Sequence, residues 1–97
     1  MARPYVIQHS TEAVEDLAAL RAVDRTAIRR AIEQHLTSDP TRVSRSRIKL
    51  MTQPFWAQYR LRVGEFRIYY DVDDGARRVL ILRVLRKGTR PTPTEAP

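Results

Sequence analysis

Tyr59-Arg60-Leu61-Arg62-Val63-Gly64-Glu65-Phe66-Arg67-Ile68-Tyr69-Tyr70-Asp71-Val72 contains two runs of strict alternation on either side of a short glycine-containing turn. That pattern predicts a β-hairpin. A two-residue loop at Gly64-Glu65, with glycine supplying the positive φ that such turns need, fixes the register. Val63 then faces Phe66, Arg62 faces Arg67, Leu61 faces Ile68 and Arg60 faces Tyr69. Side chains alternate along a strand, so Tyr59, Leu61, Val63, Phe66, Ile68, Tyr70 and Val72 share an apolar face. Arg60, Arg62, Arg67 and Tyr69 share the other. Like charges directly opposite one another on a sheet repel. Three guanidinium groups gathered on one strand pair therefore favour a bound anion, and phosphate suits them best. The alternative is a solvated face whose arginines pair with Asp71 and Glu65.

The chain of 97 residues is long enough for one domain with a modest core. We place that domain at residues 1–90 and read 91–97, with Pro91, Pro93 and Pro97, as a disordered proline-rich tail. The chain has no cysteine, so it has neither a disulfide framework nor a thiolate metal site. Two histidines, His9 and His35, are too few to suggest a zinc centre. No apolar run approaches the roughly 18 residues of a membrane span, and the N-terminus has no signal-peptide core. These features predict a soluble, cytoplasmic protein without metal, cofactor or membrane partner.

The net charge is +7, and it is unevenly spread. Residues 1–39 carry five basic and six acidic side chains, whereas residues 40–97 carry thirteen basic and five acidic ones. The C-terminal part thus attracts nucleic acid or an acidic protein. Sixteen of the eighteen basic residues are arginine, which suits bidentate phosphate contacts but also follows from a GC-rich coding sequence. Codon bias does not account for arginines collected on one hairpin face.

Before the hairpin, Tyr5-Val6-Ile7-Gln8 predicts a first strand. Ser10 or Thr11 then caps a helix with Val14, Leu17, Ala18 and Leu20 on its apolar side. Asp24 is expected to cap a second helix, with Ile28, Ala31, Ile32, His35 and Leu36 at helical spacing. Asp39-Pro40 ends it. Residues 41–54 are polar and basic and read as a loop closed by Pro54, with Ile48-Lys49-Leu50 as its apolar anchor. Asp73-Asp74-Gly75 signals a turn. Val79 to Leu85 predicts a buried last strand, whose parity puts Arg83, Leu85 and Lys87 on one face. The expected class is α+β, in the order β-α-α-β-β-β, with a helical hairpin packed on a small, mainly antiparallel sheet.

This order, the Ile48-Lys49-Leu50 approach, the Leu61-Arg62-Val63-Gly64 turn followed by Phe66-Arg67, and the basic end of Val79 to Lys87 resemble the RelE/ParE family of bacterial toxins. The resemblance spans about residues 5–90. It implies the toxin half of a type II toxin–antitoxin pair. RelE-type members enter the ribosomal A site and cut mRNA without a metal. Members of the ParE branch share the fold but poison DNA gyrase. In both, a cognate antitoxin wraps an acidic or amphipathic segment over the toxin, and operator DNA is met through the antitoxin.

Carried over by position, the resemblance places Arg67 on the hairpin arginine that stabilises phosphate. Arg60 falls on the basic position of the preceding strand, and Lys87 on the basic position that ends the last strand. These three form the expected catalytic set. Arg62, Arg83, Arg86, Lys49, Tyr69 and Trp56 are the expected RNA-binding residues around it. Two departures stand out: Gln58 is neutral where well-known members are basic, and Thr92-Pro93-Thr94 stands where active members often carry a tyrosine.

The side chains leave alternatives open. Tyr69 stacks on a base or is a half-exposed strand tyrosine. Trp56 is a stacking platform or packs at the sheet edge. The run from Arg42 to Lys49 tracks a nucleic-acid backbone, takes an acidic antitoxin segment, or is an ordinary basic loop. Three functions remain: an mRNA endoribonuclease, a gyrase inhibitor, or a decayed toxin that only binds its antitoxin.

Overall fold

The computed structural model describes residues 3–52 and 56–89, so Pro54 and the tail expected at 91–97 lie outside the described residues. The elements run β1 (Val6–His9), α1 (Thr11–Ala18), α2 (Ala22–Leu36), β2 (Ile48–Leu50), β3 (Tyr59–Val63), β4 (Phe66–Asp73) and β5 (Arg78–Arg86). The strands form one sheet in the order β1-β5-β4-β3-β2. β1 runs parallel to β5, and every other pairing is antiparallel.

The hairpin register follows the alternation. Val63 faces Phe66, Arg62 faces Arg67, Leu61 faces Ile68 and Arg60 faces Tyr69. Gly64 adopts φ +55, the left-handed conformation that the tight turn requires and that costs glycine little.

Ser10 caps α1: its Oγ accepts from the Ala13 N–H at 3.0 Å and donates to the Leu82 carbonyl at 2.8 Å. One hydroxyl thus starts the helix and fastens it to β5. Asp24 does not cap α2. The cap position is Arg21, without a side-chain cap, and Asp24 lies in the first turn, 3.6 Å from Arg21 Nε. Ile28, Ile32 and Leu36 of α2, with Ala13 and Leu17 of α1, meet Leu61, Ile68, Tyr70, Val79 and Ile81 in the core. Val14, expected on the apolar side of α1, is exposed. At the centre the Tyr70 hydroxyl donates to the Pro40 carbonyl at 2.6 Å, joining the sheet to the end of α2.

Two differences from the expected architecture matter for function. Ile48-Lys49-Leu50 is a fifth strand, not a loop, and it pairs Lys49 with Arg60. In addition, β5 carries a bulge: Tyr69 pairs with Arg83 but Tyr70 pairs with Ile81, so Leu82 is an extra residue. The bulge lets Val79 and Ile81 and then Val84 all point into the core.

Candidate functional site

The helices cover one face of the sheet, and the arginines stand on the other. Register places Lys49, Arg60, Tyr69 and Arg83 in one row across four strands. Arg62, Arg67 and Leu85 form the next row. The Arg62 N–H donates to the Arg47 carbonyl at 2.8 Å, which extends that row to the segment before β2.

Among the described residues no carboxylate forms an ion pair with Arg60, Arg62 or Arg67. Asp71 Oδ1 instead accepts from the Gln58 N–H at 2.8 Å, and Glu65 Oε1 lies 3.5 Å from Arg86 Nη1. The solvated face neutralised by Asp71 and Glu65 is therefore not what forms. Arg67 Nη1 folds back on the turn and donates to the Gly64 and Phe66 carbonyls, each at 3.0 Å. Burial, and then the repulsion of Arg60 and Arg62, hold the Arg67 guanidinium below its ordinary pKa. Arginine nevertheless stays protonated. The result is a cluster of cations held close together by backbone pairing.

The other expected residues divide. Lys87 follows β5, is exposed, and is tied to the turn by its N–H to the Glu65 carbonyl. Arg83 shares the face by register, but its guanidinium is engaged with Asp16 of α1, at 2.8 Å for Nε and 3.1 Å for Nη2. The same carboxylate accepts from the Val84 N–H at 2.9 Å. Arg86 pairs with Phe66, with its guanidinium 4.7 Å from that ring, so it lies on the opposite face from Arg67. Tyr69 is 5 % exposed and is not the half-exposed strand tyrosine considered from sequence. Trp56 lies over it, ring centroids 5.4 Å apart and tilted by 52°. A ring so covered offers no face to a base. Trp56 is half-buried, and its Nε1 is buried without a hydrogen-bond partner among the described residues.

Three contributors escaped the sequence. Gln58 clamps β4: besides its N–H to Asp71, its Oε1 accepts from the Val72 N–H at 2.8 Å. Asp16 anchors Arg83 from 67 positions away, with no local signal. The open face also has an acidic end, a cleft of about 500 Å³ lined by Gln58, Asp71, Asp73, Asp74 and Arg78. Among the described residues no group of three or more His, Cys, Asp or Glu side chains could hold a metal ion. Nor is any helix among them long and apolar enough to cross a membrane.

The same fold is found in known proteins. The toxin–antitoxin complex RelBE2 from Mycobacterium tuberculosis matches with TM-score 0.77 and 27 % identity, over 92 % of this chain and 98 % of that one. The intact RelBE complex of E. coli matches with TM-score 0.68 and 23 % identity, over 89 % and 99 %. The archaeal RelE–RelB complex of Pyrococcus horikoshii matches with TM-score 0.63 and 18 % identity, over 89 % and 98 %. The latter two bear on the fold alone. No curated protein matches the chain. Residues 7–91 match the family described as "ParE toxin of type II toxin-antitoxin system, parDE". The chain thus belongs to the RelE/ParE family of toxins of type II toxin–antitoxin systems.

Proposed function

We propose that this chain is a RelE-like toxin that cleaves mRNA on the ribosome and so blocks translation. The observation that carries the reading is the cluster of Arg60, Arg62 and Arg67 on the face the helices leave open, with no ion-pair partner among the described residues. In such a cleavage the 2′-oxygen bonds to the adjacent phosphorus and its proton passes to a base, while the bond to the 5′-oxygen breaks and that oxygen takes up a proton to leave as a hydroxyl. The phosphorane gains negative charge, and each fixed cation aimed at it contributes about 10²–10³ in rate. Arg60 and Arg67 hold that charge, while Arg62 and Lys49 bind the flanking backbone. Arginine cannot take the proton.

A gyrase-directed activity is the second reading, and one observation favours it. Gln58 is committed to Asp71 and Val72, and Tyr69 is buried, so neither stands in for the missing basic residue and tyrosine. For both readings we carry over a cognate antitoxin, since the matched RelBE structures are toxin–antitoxin complexes. An acidic segment suits the basic C-terminal half, and operator DNA would be met through that partner. Inducing the chain in cells separates the readings. Protein synthesis should fall before any DNA-damage response; a DNA-damage response that comes first overturns the ribonuclease reading.

A further inference from the structure

The basic run Arg42 to Lys49 does more than lead into β2. Ser44 and Ile48 close a tight turn: the Ser44 N–H donates to the Ile48 carbonyl at 2.9 Å. Ser44 Oγ in turn accepts from the N–H groups of Arg47 and Ile48, at 3.1 and 3.3 Å. With its oxygen so engaged, the hydroxyl proton is left to donate outward. Behind the turn is a cleft of about 210 Å³ against the end of α2, lined by His35, Asp39, Arg42, Ser44, Ser46 and Arg47 among others. Arg42 and Arg47 are exposed and have no ion-pair partner among the described residues.

The end of a helix carries partial negative charge, but two of its carbonyls are already used here. Glu33 O accepts from Thr37 Oγ1 at 2.5 Å, and His35 O accepts from the Asp39 N–H at 3.2 Å. Asp39 opposes an anion, and two guanidinium groups outnumber it. Burial, then the charge of Arg47, lower the His35 pKa, which places the imidazole within the field of that guanidinium. One residue of the cleft, Arg47, is also backbone-paired to the hairpin. The Arg47 carbonyl takes the Arg62 N–H, and neighbouring strands lie about 4.8 Å apart.

We infer that the cleft between the end of α2 and the Ser44–Ile48 turn is a second phosphate subsite. It would hold a backbone phosphate of the same polynucleotide, held by Arg42, Arg47 and the Ser44 hydroxyl, where the strand rounds the β2 edge from Arg62. This rests on the RNA reading of the hairpin face and extends it.

The test is fluorescence anisotropy with a short 2′-O-methyl RNA, which cannot be cleaved, titrated between about 50 and about 200 mM salt. For a single strand the slope of log K against log salt is about −0.7 for each phosphate that the protein neutralises, through release of its counterions. The Arg42→Gln/Arg47→Gln chain should bind at least about tenfold more weakly, with a slope shallower by about that amount. Both side chains are exposed, so the fold should be kept, and circular dichroism checks it. An unchanged affinity and slope, with Arg60→Gln/Arg62→Gln weakened, overturns the subsite and leaves the hairpin reading standing. The reverse pattern overturns the hairpin as the RNA site and, with it, the cleft as a second subsite of that strand. If a polyglutamate peptide needs Arg42 and Arg47 while RNA does not, the cleft serves an acidic protein segment and the inference is overturned.

Discussion

Arg62 and Arg67 stand directly opposite one another on β3 and β4, and no carboxylate among the described residues bridges them. A folded chain gains nothing from that pairing: like charges across a strand pair cost about 0.2–1 kcal/mol. Replacing Arg62 with Gln should therefore raise stability by a few tenths of a kcal/mol while weakening toxicity. Thermal melting and a plating assay with induced chains measure both. A loss of stability would mean that the cluster is structural.

The opposite pattern is expected at Arg83. Its guanidinium and the Val84 N–H share the Asp16 carboxylate, and both side chains are largely shielded, with relative exposures of 24 % and 16 %. Asp16→Ala removes the carboxylate that the Arg83 guanidinium and the Val84 N–H both use, at a cost of about 2–3 kcal/mol. Toxicity should fall only as far as the fold does. Denaturant unfolding checks the first part. Toxicity lost at full stability would contradict the structural role.

Tyr69 should matter for packing, not chemistry. Tyr69→Phe keeps the ring beneath Trp56 and should leave toxicity unchanged. Tyr69→Ala should cost about 3–5 kcal/mol by emptying a buried site. A Phe variant that folds fully and has lost its toxicity would make the phenol part of the reaction.

At the acidic end, burial raises the Asp71 carboxyl above its ordinary 3.8, and the Gln58 N–H bond partly offsets this. The folded chain therefore binds that proton more readily than the unfolded chain. Asp71 lowers stability as pH rises from 3.8 through its raised value. Asp71→Asn keeps an oxygen for the Gln58 N–H and removes the charge. It should be more stable than the parent at pH 7, and the gain should vanish below about pH 3.8. Melting curves across that range decide it.

The hairpin was legible because alternation, a glycine turn and opposite-parity arginines all agree locally, and the register they imply is the register observed. β2 was not, because only three residues form it and only Ile48 is buried, too short a pattern to stand out from a basic loop. Parity along β5 put Arg83 and Leu85 on one face without saying which, the register pairs them with Tyr69 and Arg67, and the bulge at Leu82 had no marker in the sequence. The burial of Tyr69 depends on Trp56, thirteen positions earlier, and the engagement of Arg83 on a helix 67 positions away. Such long-range contacts reassign side chains that strand parity alone leaves on an open face.

The measurement that tests the central claim most directly is the mapping of mRNA 5′ ends by primer extension in a translating extract. It is run with and without ribosomes, for the wild-type chain and for Arg67→Ala. We expect new ends phased to codons, only when ribosomes are present, and at least about a hundredfold fewer with Arg67→Ala. Intact mRNA under a toxic dose of the wild-type chain, or equal cleavage by the two chains, would contradict it.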